Sequence, residues 1–459
     1  MRRKIRVFIT VLLAFPAGGF AVPVSPFVYQ TESEVSVKLD EYMTALSDAG
    51  RFDGAILFAR GDTVLLSKGY GLANFEFSVP VTAKTVFPIG SNTKQFTAAG
   101  IMLLQDQGLL DVNDHVSMYV PDAPPQWENI CIHHLLNHTS GIPSEGAYDS
   151  TDPHDYLLPE LMVRITQLPL EFEPGDSMTY SNNGYITLSY IIEQVSGMSY
   201  NEYLTQNLFQ PTGMTCTGQD NSRDVFPLRA SGSSSVAGNR IHYEMQNIHN
   251  RFGAGCLHST TGDIFRWLRS FYTDSGVLSH QAVEDMMENN YGVVRAELEG
   301  RPVVGHGGRA VGFISYTLYF PDEDVTVIFL SNYDRTPMAT LPLGLVSIVF
   351  GEPCSIPEKI SRVEAPVALE VLEEFTGIYA LEWEESWTYS VFLDGDKLYY
   401  TSTFPAETVE LFYEGDDTFF ITPQSADSFV FSRDDDGEVN GLRLFTLEGV
   451  YDSAARVEQ

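Results

Sequence analysis

Residues 87–110 read FPIGSNTKQFTAAGIMLLQDQGLL, and this stretch places a serine and a lysine at the start of a long apolar run. Ser91 and Lys94 are three residues apart, and the residues that follow Lys94 are apolar nearly all round. We therefore predict a helix that crosses the core of a domain and ends near Gly108. Residues three apart share one helical face, so the Lys94 amine is within reach of the Ser91 hydroxyl.

This pair of residues suits nucleophilic catalysis. A serine hydroxyl becomes a useful nucleophile when a neighbouring base accepts its proton. Lys94 can be that base only if burial or neighbouring charges lower its pKa, because a free lysine is protonated at neutral pH. The amino terminus of a helix also presents unpaired N–H groups to a developing oxyanion. The spacing alone is common by chance, so other segments decide its meaning.

Two further segments carry polar residues suited to the same chemistry. Tyr180 and Asn182 lie two apart between PGDSMT and a helix-like run, so a phenol and a carboxamide can point into one cleft. The phenol can relay a proton, and the amide can orient a substrate carbonyl. The run His306-Gly307-Gly308 leads into a strand, where the glycines allow close approach of a ligand and the histidine adds a donor or acceptor at the rim.

Strand patterns at both ends of this region predict one sheet. A hairpin is expected over residues 55–67, and β-rich runs return over residues 303–332, followed by an apolar helix near 338–350. The stretch between, residues 91–290, is mostly helical in pattern. We therefore predict an α+β domain in which an antiparallel sheet is flanked by helices and carries a large helical insert.

The pattern changes near residues 357–366. Beyond that point, short aromatic strands alternate with turns such as Asp394-Gly395 and Asp436-Gly437, and residues 366–459 hold 21 acidic and 4 basic side chains. We predict a separate all-β domain, a small antiparallel barrel or sandwich. We expect its aromatic residues to fill its core, with a ligand pocket as the alternative; they include Trp383, Trp387, Tyr389, Tyr399, Phe412, Phe420 and Phe431.

Residues 1–21 have the pattern of a secretory signal peptide. A basic start is followed by an apolar run, and small residues stand at the −3 and −1 positions of a cleavage site after Ala21. An uncleaved anchor is the alternative, but the apolar run is short for a membrane span. We expect a bacterial periplasmic or secreted protein whose mature chain has no membrane span.

Composition excludes some function classes. The chain has 459 residues, of which 44% are hydrophobic and 19% charged, as in globular proteins. It carries 27 basic and 61 acidic side chains, a net charge of −34 at pH 7. Such a surface repels polyanions, so we expect no nucleic-acid partner.

Cysteine and histidine spacing gives no metal prediction. The four cysteines have no Cys-x-x-Cys spacing, and sequence alone does not choose among their three possible pairings. His134 and His138 are four apart, but Leu135 stands where a zinc peptidase would carry a glutamate. We expect no metal and no cofactor.

In the order Ser-x-x-Lys, Tyr-x-Asn, His-x-Gly, the motifs are specific. With the connecting segments IGSNTKQFTA, IHHLLNHTSGIP and PGDSMTYSNNGY, the chain resembles the penicillin-recognising serine hydrolases: serine β-lactamases, D-alanyl-D-alanine peptidases and related esterases. It is most similar to their class C-like branch, over roughly residues 38–350. The tail resembles the lipocalin-like domains of some members. The expected domains are a signal peptide (1–21), a hydrolase domain (22–356) and a barrel (366–459).

The resemblance implies roles for the residues of the first two motifs. Ser91 would be the acylated nucleophile, and Lys94 and Tyr180 would be its proton-transfer partners. Asn182 would bind the substrate amide. These roles describe a two-step acyl transfer.

The third motif implies the remaining contacts. The strand containing His306, Gly307 and Gly308 would flank the substrate, and the backbone N–H groups of Ser91 and Arg309 would form the oxyanion hole. A lysine is usual in β-lactamases where His306 stands. A permanent positive charge for an antibiotic carboxylate is therefore missing, although Arg309 can substitute for it.

The resemblance leaves the substrate open among a D-amino-acid peptide, a β-lactam and a small ester. A different class of function, a non-catalytic receptor for cell-wall peptide or β-lactam, would keep the same pocket. The intact nucleophile and base favour an enzyme, because a binding protein has no need of them. The oligomeric state and the role of the tail also stay open.

Overall fold

The structure is a computed structural model, which describes residues 32–148, 152, 154–221, 224–236, 239–242, 247–272, 276–382, 386–403, 407–446 and 449–457. The expected signal peptide and Trp383 lie outside these residues. The chain forms two compact units. Of the described residues, the first unit holds 32–40 and those within 53–233 and 242–336, and the second unit holds 41–52 and those within 234–241 and 337–457.

The α-helices of the described residues range in length from 3 to 17 residues. A 3-10 turn, Gly90–Asn92, precedes the second helix, and a π turn, Thr205–Phe209, links the sixth and seventh. The α-helices of the described residues are α1 (Glu32–Asp48), α2 (Thr93–Asp106), α3 (Ile132–Leu136), α4 (Leu158–Ile165), α5 (Asn182–Ser196), α6 (Tyr200–Leu204), α7 (Gln210–Thr212), α8 (Thr261–Tyr272), α9 (His280–Glu288), α10 (Thr340–Val349) and α11 (Leu369–Glu374).

The strands fall into a group before residue 332 and a group after residue 376. In chain order they are β1 (Gly54–Arg60), β2 (Thr63–Tyr70), β3 (Leu72–Asn74), β4 (Val79–Pro80), β5 (Phe87–Pro88), β6 (Gly218–Gln219), β7 (Ser233–Val236), β8 (Asn239–His242), β9 (Leu257–Ser259), β10 (Val294–Leu298), β11 (Arg301–Ala310), β12 (Phe313–Phe320), β13 (Val325–Ser331), β14 (Gly377–Leu381), β15 (Thr388–Asp394), β16 (Lys397–Ser402), β17 (Glu407–Gly415), β18 (Thr418–Phe420), β19 (Ser428–Arg433), β20 (Val439–Thr446) and β21 (Gly449–Val457).

The first unit is built on an antiparallel sheet of order β10-β11-β12-β13-β1-β2. Strand β1 pairs with β13, with Leu57 opposite Ile328, so segments from both ends of the unit complete one sheet. Every residue of β12 and β13 is buried, which explains their continuous apolar runs. The predicted α+β fold is therefore confirmed.

Helix α2 crosses the core of this unit, as predicted. Its buried side chains include Phe96, whose ring centroid lies 5.6 Å from that of Phe209 and 4.9 Å from that of Trp267. The helix ends at Asp106, and Gly108 adopts a left-handed φ of 69° just beyond it. Burying this apolar helix fixes the position of the residues at its amino terminus.

The second unit contains a closed barrel. Strands β14 to β21 pair in chain order, and β21 returns to pair with β14, so the sheet has no free edge. Burial alternates along β19, where Phe429 and Phe431 point inward. The Phe431 ring lies 4.9 Å from Phe375 and 5.4 Å from Phe419, centroid to centroid. The predicted barrel and the core role of Phe431 are confirmed.

Two phenylalanines of the barrel make a matched test of this core. Phe431 is 3% exposed, whereas Phe392 is 39% exposed. We expect Phe431→Ala to lower the free energy of unfolding by about 3–5 kcal/mol, because it leaves a cavity among aromatic rings. Phe392→Ala should change it by less than about 1 kcal/mol. Urea unfolding of the full chain measures both, and equal effects would contradict the assigned core.

Candidate active site

The turn that carries Ser91 is pressed against strand β11. Gly90 has a φ of 50°, and a Cβ on it would lie 2.7 Å from the carbonyl oxygen of Arg309. A Cβ on Gly308 would lie 2.1 Å from the carbonyl oxygen of Ile89. Only glycine fits at these two positions without a shift of the backbone. The Arg309 peptide is therefore held beside the residue that precedes Ser91.

A buried polar network fixes the same turn to strand β12. The side-chain Nδ2 of Asn92 donates to Ser315 Oγ (2.6 Å). Ser315 Oγ in turn donates to the carbonyl oxygen of Ile89 (2.7 Å). Asn92 Oδ1 accepts from Gln95 Nε2 (3.0 Å), and the Trp267 indole donates to Gln95 Oε1 (2.7 Å). Residues on both sides of Ser91 are thus tethered. Our sequence reasoning missed this network, because its partners are more than 170 residues apart.

Lys94 is fully buried at the centre of the site. Its Nζ atom lies 2.7 Å from the carbonyl oxygen of Ala254, 2.9 Å from Asn182 Oδ1 and 3.3 Å from Ser91 Oγ. The ring of Tyr180 lies 4.6 Å from Nζ. The structure therefore brings together Ser91, Lys94, Tyr180 and Asn182, which come from two separate motifs.

Burial sets the protonation state of Lys94. Burial lowers its pKa well below the ordinary value, the charge of Arg251 lowers it further, and Glu145 acts in the opposite direction. A lowered pKa favours the neutral amine, which has two N–H groups and one lone pair. Since Ala254 and Asn182 offer only acceptor oxygens, they take the two N–H groups. The lone pair is then directed at the hydroxyl of Ser91.

Tyr180 stays protonated. Burial raises its pKa, and the nearby Ser91 hydroxyl offsets part of that effect. The phenol oxygen is buried and has no hydrogen-bond partner of normal geometry among the described residues. A buried hydroxyl without a partner is unusual, and this one belongs to a ring whose centroid lies 4.6 Å from Lys94 Nζ.

The ring of His138 packs against the ring of Tyr180. Their rings are 4.5 Å apart, and His138 Nδ1 accepts a hydrogen bond from the backbone N–H of Ser181 (3.1 Å). Burial lowers the pKa of His138 well below its usual value, so the ring is neutral and its Nδ1 is free to accept. This contact orients the loop from Tyr180 to Asn182.

The other histidines of this segment make local hydrogen bonds. His133 Nδ1 bonds to the Tyr291 hydroxyl, and His134 Nδ1 accepts from the backbone N–H of Cys131. Within the described ranges, no group of three His, Cys, Asp or Glu side chains is placed to hold a metal ion. The four cysteine thiols are free.

Asn182 begins helix α5 and is shared between two partners. Ser181 caps the helix by accepting from the N–H of Gly184 (3.0 Å). Asn182 Oδ1 accepts from Lys94, while Asn182 Nδ2 donates to Glu145 Oε1 (2.9 Å). Glu145 was missed by our sequence reasoning, because nothing in its local pattern points to a residue 37 positions away.

His306 lies inside the domain, not at the rim as we expected. It is 7% exposed, and burial, then the charge of Lys94, lowers its pKa to about 4, so it is neutral at pH 7. Its Nδ1 lies 2.5 Å from the carbonyl oxygen of Gly307. Our expectation was wrong because β11 is covered on this face. Gly307 and Gly308 are buried, whereas Arg309 is exposed.

Comparison with known proteins agrees with this arrangement. The sequence profile of the family described as Beta-lactamase matches residues 39–344. The chain therefore belongs to the β-lactamase family of serine hydrolases.

Individual relatives cover different shares of the chain. Penicillin-binding protein 4* of Bacillus subtilis (strain 168) is 27% identical over 421 residues, which span 85% of this chain and 92% of the relative. Protein flp of Staphylococcus aureus (strain MRSA252) is 29% identical over 304 residues, which span 62% of this chain and 60% of the relative.

Solved structures share the fold. The octameric penicillin-binding protein homologue of Pyrococcus abyssi has a TM-score of 0.60 and 23% identity, and the match covers 93% of this chain and all of that one. D-amino acid amidase of Ochrobactrum anthropi SV3 has a TM-score of 0.60 and 22% identity, and the match covers 68% of this chain and 98% of that one.

In the described part of the chain, no helix has the length and apolar character needed to cross a membrane.

Burial of the Lys94 amine predicts a pH-dependent contribution to stability. Its lowered pKa means that the unfolded chain binds one proton more than the folded chain between that lowered value and 10.5. Stability contributed by Lys94 therefore rises with pH in this window and is lost as pH falls through the folded pKa.

We expect the difference in unfolding free energy between wild type and Lys94→Met to rise with pH, by at most about 1.4 kcal/mol per pH unit. Urea unfolding at several pH values measures this difference. A difference that is constant with pH would mean that the folded lysine is charged.

Proposed function

We propose that the protein hydrolyses an amide or ester by a two-step acyl-enzyme mechanism with Ser91 as nucleophile. The observation that supports this most is the position of the buried Lys94 amine, 3.3 Å from Ser91 Oγ with its N–H groups satisfied by two carbonyl oxygens. A neutral amine in that position is a ready general base. A protein that only binds its ligand gains nothing from burying a lysine there.

In the acylation step, Ser91 Oγ attacks the substrate carbonyl carbon and its proton passes to the lone pair of Lys94. The oxyanion is stabilised by the backbone N–H groups of Ser91 and Arg309. When the tetrahedral intermediate collapses, the leaving group needs a proton. The Tyr180 hydroxyl donates it and is reprotonated by Lys94, so both side chains return to their starting states.

Deacylation runs the same path in reverse. Water attacks the ester carbonyl of acylated Ser91 and gives up its proton through Tyr180 and Lys94. The proton then returns to Ser91 Oγ as the acid leaves. No metal ion or cofactor is needed for either step.

The substrate proposal follows from the charge at His306. A neutral, buried imidazole supplies no permanent cation for a β-lactam carboxylate. We therefore propose a D-amino-acid peptide, amide or small ester as the better substrate, with β-lactams as slow acylating agents. The names of the relatives, penicillin-binding protein and D-amino acid amidase, are consistent with this class.

We also propose that a bacterial cell exports the protein to the periplasm or the medium. The basic start and apolar run of residues 1–21 support this, although they lie outside the described residues. The proposed hydrolase domain spans residues 22–356, and the proposed barrel domain spans 366–459.

Replacing the nucleophile tests the mechanism directly. We expect Ser91→Ala to lower hydrolysis of a short-chain p-nitrophenyl ester by about a thousandfold or more, because Ser91 is the one hydroxyl among the described residues that is hydrogen-bonded to Lys94. Intact-mass spectrometry with benzylpenicillin should show an adduct on the wild type and none on the variant. Ser67→Ala, at an exposed strand position, is the matched control and should keep both properties. A wild-type protein with neither adduct nor turnover would favour a non-catalytic receptor.

Removing only the phenol oxygen tests the role of Tyr180. Tyr180→Phe keeps the ring over Lys94 and removes a hydroxyl that has no other hydrogen bond to lose. We expect kcat to fall by about 10²–10⁴ with a smaller change in KM, as for loss of a proton-transfer group. Steady-state kinetics on the same ester measure both. A kcat near that of the wild type would show that Lys94 transfers the proton without the Tyr180 hydroxyl.

A further inference from the structure

An exposed carboxylate lies beside the buried catalytic groups. Glu145 Oε1 accepts from Asn182 Nδ2 at 2.9 Å, Asn182 Oδ1 lies 2.9 Å from Lys94 Nζ, and Lys94 Nζ lies 3.3 Å from Ser91 Oγ. These three contacts form a short chain from Ser91 to Glu145. The Glu145 side chain is exposed, so a ligand can reach it.

The loop that carries Glu145 is held by the first turn of helix α5. The backbone N–H of Asn182 donates to Ser144 Oγ (3.2 Å). Asn183 Nδ2 donates to the carbonyl oxygens of Pro143 (2.8 Å) and Glu145 (3.3 Å). The same turn therefore positions both Asn182 and Glu145, and the carboxylate has a fixed place relative to the nucleophile.

This arrangement leaves Asn182 with little capacity for a substrate carbonyl. Its Oδ1 is taken by Lys94, and one of its N–H groups is taken by an acceptor that carries a charge. A carboxylate has about four acceptor positions, and Asn182 fills one of them. The group that best complements the rest is a donor with a positive charge.

The charged side chains around the site leave Glu145 without an ion pair among the described residues. Burial lowers the pKa values of Lys94 and His306, which favours their neutral forms. One cation, Arg251, is close enough for its charge to act on Lys94. Among the described residues, Glu145 forms no salt bridge, so its charge is available to a ligand.

We propose that Glu145 binds the free α-ammonium group of the acyl part of the substrate. This inference rests on the proposed function and makes it narrower. In an α-aminoacyl group the ammonium is attached to the carbon next to the reacting carbonyl, so its binding group must belong to the same site as the nucleophile. Glu145 meets that requirement, because Asn182 and Lys94 connect it to Ser91 through contacts of 2.9, 2.9 and 3.3 Å. The preferred substrates are then amino-acid amides, esters or peptides with an unblocked amino terminus.

A pair of substrates that differ only in this group tests the proposal. We compare kcat/KM for D-alanine p-nitroanilide and N-acetyl-D-alanine p-nitroanilide, with the L-enantiomers as further arms. The wild type should have the higher kcat/KM for D-alanine p-nitroanilide, whose amine is free. Glu145→Gln, which keeps an acceptor for Asn182, should lower the ratio of the two kcat/KM values tenfold to a hundredfold, about the effect of one charge-assisted hydrogen bond. Glu128→Gln, an exposed carboxylate in another loop, is the matched control and should keep the ratio.

Three results would overturn the proposal, and they differ in what else they affect. A wild-type ratio near one, together with Ser91-dependent hydrolysis of p-nitrophenyl acetate, would refute it and keep the acyl-enzyme mechanism. Equal losses on both anilides in Glu145→Gln, with accumulation of acyl-enzyme by mass spectrometry, would assign Glu145 to activation of the deacylating water instead. Failure of the wild type to hydrolyse any ester or anilide, with Ser91 unlabelled by a fluorophosphonate, would refute both proposals.

Discussion

Burial of one amine is the constraint on which the site depends. A lysine withdrawn from water must lose its proton or find partners, since an unpaired buried charge is very costly. Lys94 meets this requirement with the carbonyl oxygens of Ala254 and Asn182, and the lowered pKa leaves a lone pair for Ser91. The same burial that costs stability therefore favours the neutral amine that the proposed mechanism uses as its base. The apolar helix α2 is what carries the amine into the core.

Close backbone approach is the second requirement. Gly90 and Gly308 let the nucleophile turn and strand β11 touch, and a Cβ at either position would collide with backbone atoms. The contact places the Arg309 peptide beside the turn, where the proposed oxyanion hole needs a donor. Asn92 and Ser315 then lock the turn to the next strand by buried hydrogen bonds. Preorganised donors of this kind need no rearrangement as charge develops.

Much of the fold was predictable because its signals are local. The apolar run after Lys94 predicts helix α2, and the alternation of residues around Phe431 predicts strand β19. Both elements are present. Glu145 and the Asn92 network were not predictable in this way, because their partners are distant along the chain. The burial of His306 was mispredicted for a related reason: a glycine-flanked histidine has the same local pattern at a rim as under a covered strand.

The sequence by itself determined the proposed reacting groups: a serine, a lysine, a tyrosine and an asparagine, in spacings that place each at the start of a helix or in the loop before one. Only the tertiary structure decided their states. Whether Lys94 and His306 carry a charge depends on burial, and burial is set by every segment packed around them. The partner of Asn182 was decided in the same way, because a loop 37 residues earlier in the chain brings Glu145 to its amide. Chemical identity is local, whereas pKa and hydrogen-bond partnership belong to the folded surroundings.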